Sequence, residues 1–114
     1  STWGGNIVDM VRFCHIMDAI ENDNLVHNAK TVGEYLLGKL VVTDGVLNVR
    51  GRGLMIAFDL SNESERDRMM ELLSENMIAL KCGKKSIRLR PHLTFSKEDA
   101  DFAHSYIEKA AEKL

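Results

Sequence analysis

Arg88 and Arg90 fall two residues apart in the run Ser86-Ile87-Arg88-Leu89-Arg90. In an extended chain that spacing sends both guanidinium groups to one face and Ile87 and Leu89 to the other. The planar fork of arginine matches the two oxygens of a carboxylate, so a rigid strand with this face is suited to clamping an acid. A plain solvated basic face fits the same residues. Lys84 and Lys85 precede the strand and add charge. A second candidate opens the chain, where Ser1 and Thr2 stand before Trp3, Gly4, Gly5 and Asn6. Hydroxyls beside free backbone N–H groups at a helix start form a phosphate cradle, although small-residue turns before helices are common. A third stretch, Val46 to Leu60, places Arg50 and Arg52 among Gly51 and Gly53, two glycines suited to left-handed turns or close approach. The plain account of that corner is a β-turn with solvated arginines.

The remaining chemistry-bearing residues form no pattern. His15, His27, His92 and His104 are scattered, and no two combine metal-ligand spacing with an acidic or thiol partner, so no metal site is expected. His92, just after the arginine strand, is the one to watch. The methionines lie on apolar stripes and read as core filler. There is no nucleophile–base arrangement, no Walker loop and no dinucleotide fingerprint.

These candidates need elements to carry them. Asn6 caps a helix from Ile7 to Glu21. Its polar residues Asp9, Arg12, His15, Asp18 and Glu21 recur every third position, so the polar stripe winds around the axis and apolar residues face several directions. Such a helix packs against more than one body. Asn22 to Asn24 end it and cap the next, whose Leu25, Ala29, Val32, Leu36 and Leu40 keep helical spacing. Thr43-Asp44-Gly45 turns into a strand ending near Val49 and a second from Leu54 to Phe58. The second strand is apolar on both faces and is expected to be buried between layers. Asn62 and Glu65 predict a capping box for a third helix with Met69, Met70, Leu73 and Met77 inward and Asn76 at a left-handed C-terminal position. Strands follow at Met77–Lys81 and Ser86–Arg90, with a turn at Cys82–Lys85 and a stop at Pro91. Ser96 and Asp99 cap a last helix with the stripe Phe102, Ala103, Tyr106, Ile107, Ala110 and Leu114. The order α-α-β-β-α-β-β-α predicts an α/β (α+β) fold: a small, mostly antiparallel sheet covered by helices on one face, in two layers.

At 114 residues the chain suits one small domain, and a net charge of −2 calls for neither nucleic acid nor an anionic membrane. No apolar run approaches the ~20 residues of a membrane-spanning helix. Cys14 and Cys82 have no motif spacing, and reduced thiols in a cytoplasmic protein are expected. The opening at Ser1, with no initiator Met and no polar lead-in, predicts a piece of a longer protein.

Three segments together resemble a known family. Ser1 to Asn6, Asn48 to Met55 (Asn-Val-Arg-Gly-Arg-Gly-Leu-Met) and Cys82 to Pro91 (Cys-Gly-Lys-Lys-Ser-Ile-Arg-Leu-Arg-Pro) occur in the order seen in the C-terminal part of class III, pyridoxal-phosphate-dependent aminotransferases. The resemblance covers essentially the whole chain. Within the family the Thr-Trp-Gly-Gly-Asn form and the Ser-Ile-Arg strand look closest to the lysine 6-aminotransferase branch, with the 4-aminobutyrate and ornithine branches as alternatives. It implies the C-terminal domain of a fold-type-I enzyme, with residues 1–22 as the turn and helix leading from a large domain and 23–114 as the small α/β domain. It implies pyridoxal 5'-phosphate as cofactor, an amino-acid donor and 2-oxoglutarate as substrates, and a homodimer. Thr2, with Ser1 beside it, would bind the cofactor phosphate of the neighbouring subunit, and Arg88 the substrate carboxylate. Arg90 has no clear role, and Arg50 and Arg52 read as structural. The Schiff-base lysine and the aspartate facing the pyridine nitrogen lie upstream of the threonine motif in the family, so no catalytic residue is expected in this chain and the chain alone is expected to be inert. The segment between Leu40 and Val46 is short for the family. A different class, a stand-alone module binding RNA or a phosphorylated partner through Lys81, Lys84, Lys85, Arg88 and Arg90, competes with this reading. The acidic net charge and the lack of aromatic residues on that strand weigh against it.

Overall fold

The structure is a computed structural model that describes residues 4–114. Ser1, Thr2 and Trp3, and with them the cradle expected at Thr2 and Ser1, lie outside the described residues. The elements run α1 (Ile7–Asn22), α2 (Leu25–Val41), β1 (Leu47–Arg52), β2 (Met55–Asp59), α3 (Glu63–Leu73), β3 (Leu80–Cys82), β4 (Ser86–Leu89) and α4 (Lys97–Glu112). This is the order expected from the sequence. The four strands form one sheet in the order β1-β2-β4-β3, antiparallel throughout.

The sheet has one covered face. Ile56, Phe58, Ile87 and Leu89 point to it and are buried against Leu36 and Leu40 of α2, Met69 and Leu73 of α3, and Ala100, Ile107 and Ala110 of α4. Burying one such large side chain is worth roughly 1.5–3 kcal/mol, so this layer carries the fold. Helix α2 reaches the β1–β2 corner through glycine on both sides. A Cβ at Gly33 would lie 1.9 Å from the Gly53 carbonyl oxygen, and Gly53 itself has a left-handed φ of 57°. Helices α2 and α4 are joined by Asp101, which accepts from the Tyr35 hydroxyl at 2.6 Å and pairs with Lys39. The Thr43 hydroxyl donates to the Lys39 carbonyl oxygen at 2.8 Å, so it accepts from His104 Nε2, also at 2.8 Å. Asn28 donates to the carbonyl oxygens of Leu93 and Phe95, at 2.8 and 3.0 Å, and fixes the loop after β4.

Several local expectations are corrected. Strand β2 is not buried between layers: on its face away from the helices Met55 is 66% exposed and Ala57 partly so, and of that face only Asp59 at the strand's end is buried. Gly51 lies inside β1 and not at the corner; a Cβ there would meet the Met55 carbonyl oxygen at 2.5 Å. Asn76 is not left-handed, because Met77 N–H donates back to Leu73 at 2.9 Å and continues a right-handed turn. The left-handed asparagines are Asn24 and Asn48. Asn24 precedes α2 without a side-chain capping bond. Asn62 accepts from the Glu65 N–H at 2.9 Å without the return bond of a full box, whereas Ser96 and Asp99 form both. Strand β3 starts at Leu80, not Met77, and β4 ends at Leu89, one residue before Arg90. Phe102 is exposed, because the inward stripe of α4 runs through Ala100, Ile107 and Ala110.

Helix α1 is capped as expected, Asn6 accepting from Val8 at 2.8 Å and Asp9 at 3.3 Å. None of its residues is buried, and Ile7, Val8, Val11 and Phe13 are all more than half exposed. Its winding polar stripe leaves apolar surface on several sides, as the spacing predicted.

Candidate substrate-binding face

Antiparallel pairing sends directly opposed residues to the same face. Arg50 on β1 opposes Ala57 on β2, Ala57 opposes Arg88 on β4, and Arg88 opposes Leu80 on β3. These four residues form one row across the face of the sheet away from the helices. The neighbouring row holds Leu47, Asp59, Ser86 and Cys82. Around Ala57 the face dips into a shallow depression of about 260 Å³ lined by Arg50, Met55, Cys82, Arg88 and Arg90 among others.

The two arginines of the row differ in their surroundings. Arg50 Nη1 donates to Asp59 at 3.0 Å and to the Asn48 carbonyl oxygen at 2.9 Å, and its Nη2 donates to Ser86 Oγ at 3.2 Å. Arg88 is exposed and makes no ion pair among the described residues. The free guanidinium of this row therefore belongs to Arg88, on a strand bonded on both edges. Such a group is available for a carboxylate.

Asp59 is the charge that sorts them. Its carboxylate also accepts from the Ser86 hydroxyl and from Asn48 Nδ2 at 3.1 Å. These bonds, the Ser86 hydroxyl first, then Asn48 and Arg50, hold its pKa down at about 2 against the opposing effect of burial. Asn48 reaches it because a bulge in β1 puts that residue at a left-handed φ of 47°. On the other side, Arg66 of α3, 4% exposed, donates to the carbonyl oxygens of Cys82, Gly83 and Ser86 at 3.5, 3.3 and 3.3 Å and clamps the β3–β4 hairpin. It also pairs with Asp67 at 2.9 Å.

The structure thus brings Arg88 and Arg90 to one depression and adds Arg50, which the sequence left as part of a glycine corner. Lys84 and Lys85 sit in the hairpin turn at the far end of β4 from Arg90. Arg52 lines a separate cavity of about 410 Å³ with Arg90 and His92. His92 faces Thr94, its Nδ1 2.8 Å from the hydroxyl, and packs edge-on against Phe95 at 5.9 Å. No group of three metal-ligating side chains occurs among the described residues. Sequence reasoning missed Asp59, Ser86, Asn48 and Arg66. Asp59 carried a signal, being the one charge in an otherwise apolar strand; the others carried none.

Comparison with known proteins agrees with the fold and the family resemblance. The family description "Aminotransferase class-III" matches residues 1–111. The L-lysine-epsilon aminotransferase of Mycobacterium tuberculosis is 40% identical over 116 aligned positions, covering 96% of this chain and 26% of that protein. The 4-aminobutyrate aminotransferase of Kluyveromyces lactis is 38% identical, covering 100% of this chain and 26% of that protein. A solved structure of lysine aminotransferase from M. tuberculosis, in the internal aldimine form, superposes with a TM-score of 0.86 at 38% identity, over 96% of this chain and 27% of that one. The chain spans about a quarter of the length of these relatives. With the family match running across nearly all of it, the chain belongs to the class-III aminotransferases.

Proposed function

We propose that the protein carrying this chain is a pyridoxal-phosphate-dependent aminotransferase that moves an amino group, most directly the ε-amino group of lysine, to 2-oxoglutarate, giving 2-aminoadipate 6-semialdehyde and glutamate. In this reading residues 1–22 lead from a large domain and residues 23–114 are the small C-terminal domain. Arg88 holds the substrate carboxylate. Thr2, with Ser1, binds the cofactor phosphate in the neighbouring subunit of a homodimer. The observation that carries the reading is Arg88 itself: an arginine without an ion partner among the described residues, on a strand paired along both edges, beside a second arginine already committed to Asp59.

The residues next to the expected phosphate cradle fit an anion. Gly4 and Gly5 have left-handed backbones, φ 61° and 75°, and a Cβ at Gly4 would meet nothing within 4 Å. The Asn6 cap takes the N–H groups of Val8 and Asp9 and leaves those of Gly5, Asn6 and Ile7 outside it. When bound, pyridoxal phosphate supplies the electron sink for amino-group transfer. The part of this chain is to hold and orient. Arg88 fixes the carboxylate end of the substrate, and the sheet behind it keeps that grip from shifting. Holding a reactant in one geometry removes entropy from the barrier before reaction. The free cysteines Cys14 and Cys82 suit a cytoplasmic setting.

The 4-aminobutyrate relative, similar over the whole chain, supports a second donor within the same chemistry. The basic-module reading is weaker, since Lys81 is paired with Asp67 at 2.9 Å and Arg50 is not among its cations. The test uses the whole protein with pyridoxal phosphate, L-lysine and 2-oxoglutarate, following glutamate, with Arg88→Ala alongside. Glutamate formation that Arg88→Ala weakens mainly through oxo-acid KM supports the proposal. Activity with 4-aminobutyrate or ornithine but not lysine moves the donor and keeps Arg88. Absence of cofactor binding overturns it.

A further inference from the structure

Ser86 stands two residues before Arg88 on β4, on the same face of the sheet, and it is held at both its side chain and its backbone. Its hydroxyl donates to Asp59 and accepts from Arg50 Nη2 at 3.2 Å. Its carbonyl oxygen accepts from Arg66 Nη1 at 3.3 Å, an arginine rooted on α3. Ser86 and Asp59 are each 9% exposed, so this is a desolvated contact and not a surface one.

We propose that Ser86, backed by Asp59 and Arg50, is a positioning residue for Arg88, fixing the start of β4 so that the Arg88 guanidinium meets a substrate carboxylate in one orientation. The inference rests on the reading of Arg88 as the carboxylate clamp. Three observations carry it. Alternation along β4 puts Ser86 and Arg88 on one face in adjacent rows, so movement of one is felt by the other. Among the described residues, the Ser86 side chain ties the carboxylate on β2 and the arginine on β1 to the strand bearing Arg88, adding to the backbone ladder between β2 and β4. The cluster also keeps Arg50 bonded to Asp59 and Ser86 of the neighbouring row, where it does not compete for the substrate. Removing the Ser86 hydroxyl leaves Asp59 without one of its donors and Arg50 Nη2 without its acceptor, and both must then find partners on the open face.

The test is steady-state kinetics in the whole protein, varying 2-oxoglutarate, for Ser86→Ala, Ser86→Thr, Arg88→Ala and the Ser86→Ala/Arg88→Ala double variant. Ser86→Ala is expected to raise oxo-acid KM roughly three- to tenfold with kcat within about twofold, the pattern of altered ground-state binding. Ser86→Thr, which keeps the hydroxyl, is expected to restore the KM. In the Arg88→Ala background, Ser86→Ala is expected to raise KM no further. An unchanged KM in Ser86→Ala, or the same rise without Arg88, overturns the inference. If Ser86→Ala does not fold, Ser86→Cys, close in size and a weaker donor, carries the same comparison. Arg88→Ala separates the two levels: if it leaves oxo-acid KM unchanged, the clamp reading itself fails, whereas if it raises KM the Ser86 variants judge the positioning role alone.

Discussion

Arg50 and Arg88 stand in one row across the sheet, both opposite Ala57, and among the described residues Arg50 of the two is paired with a carboxylate and Arg88 is not. The pair therefore separates a structural arginine from one free to bind. Truncating each should fail in a different way. Arg88→Ala in the whole protein is expected to raise oxo-acid KM about 10- to 100-fold, the value of a lost charge-assisted contact, with little change in the melting temperature. Arg50→Ala is expected to lower stability by about 1–3 kcal/mol, because it takes a donor from Asp59, while raising KM less. Kinetics and thermal unfolding on the two variants check both halves.

The depressed pKa of Asp59 gives stability a defined acid limit. Its folded value of about 2 lies below the ordinary 3.8, so the folded state binds this proton less readily than the unfolded chain. The contribution is fully present above the ordinary value, falls as pH drops below it, and is lost once pH passes through the folded value near 2. Its size is on the order of 2 kcal/mol. Asp67, Asp99 and Asp101 are also held low, by Lys81 with Arg66, by the Ser96 cap and by Lys39 with Tyr35 respectively, and add the same sign. Urea unfolding at pH 7, 4 and 2.5 should show a smaller acid loss for Asp59→Asn than for the parent sequence, from a lower starting stability. Equal losses would show that Asp59 does not contribute to the acid limit.

How much of this was legible depends on whether a residue's role is local. The element order, the Ser96–Asp99 capping box and the shared face of Ile87 and Leu89 opposite Arg88 follow from spacing alone, and all three are as read. Arg88 and Arg90 were visible as a basic face for the same reason. The Asp59 cluster was not, because it joins residues from three strands through a pairing register and a left-handed bulge at Asn48 that no local pattern specifies. Arg66 was hidden as a charged residue ahead of the inward stripe Met69, Met70 and Leu73, since its partners are backbone carbonyls of a hairpin distant in sequence. Phe102 was misplaced because the α4 stripe is built from alanines, whose small side chains let the helix approach and so turn the larger residue outward.

The glycines of α2 make a controlled pair. At Gly33 an added Cβ meets backbone at 1.9 Å, so Gly33→Ala must push the helix off the β1–β2 corner and is expected to cost at least about 1–3 kcal/mol. At Gly38 an added Cβ meets nothing within 4 Å, so Gly38→Ala should stabilise by roughly 0.5–1 kcal/mol through helix propensity alone. Denaturant midpoints for the two variants should move in opposite directions. A tolerated Gly33→Ala would show that the corner is looser than the close approach of Gly33 and Gly53 implies.

Arg66 tests whether the hairpin clamp depends on shape or on charge. Its guanidinium reaches three carbonyl oxygens of the β3–β4 hairpin and a carboxylate at once, which an ammonium group cannot do in the same geometry. Arg66→Lys is therefore expected to lose most of what Arg66→Met loses, about 2–3 kcal/mol, with faster amide exchange confined to Cys82–Ser86. Recovery by lysine would assign the effect to charge alone.

Helix α1 sets the behaviour of the 114-residue chain by itself. Its exposed apolar residues, Val8, Val11 and Phe13 among them, form surface that water disfavours, on a helix whose main packing partner among the described elements is α2. Exposed apolar surface of this extent drives association. The chain alone is expected to shift from monomer to dimer or larger species as concentration rises, and Val11→Glu with Phe13→Glu is expected to hold it monomeric without lowering the stability of the sheet layer, since neither side chain is buried in it. Sedimentation across a concentration series distinguishes the outcomes. A chain that stays monomeric at high concentration would place the apolar side chains of α1 against one another or the body of the domain in solution, and would remove the reason to expect a partner surface there.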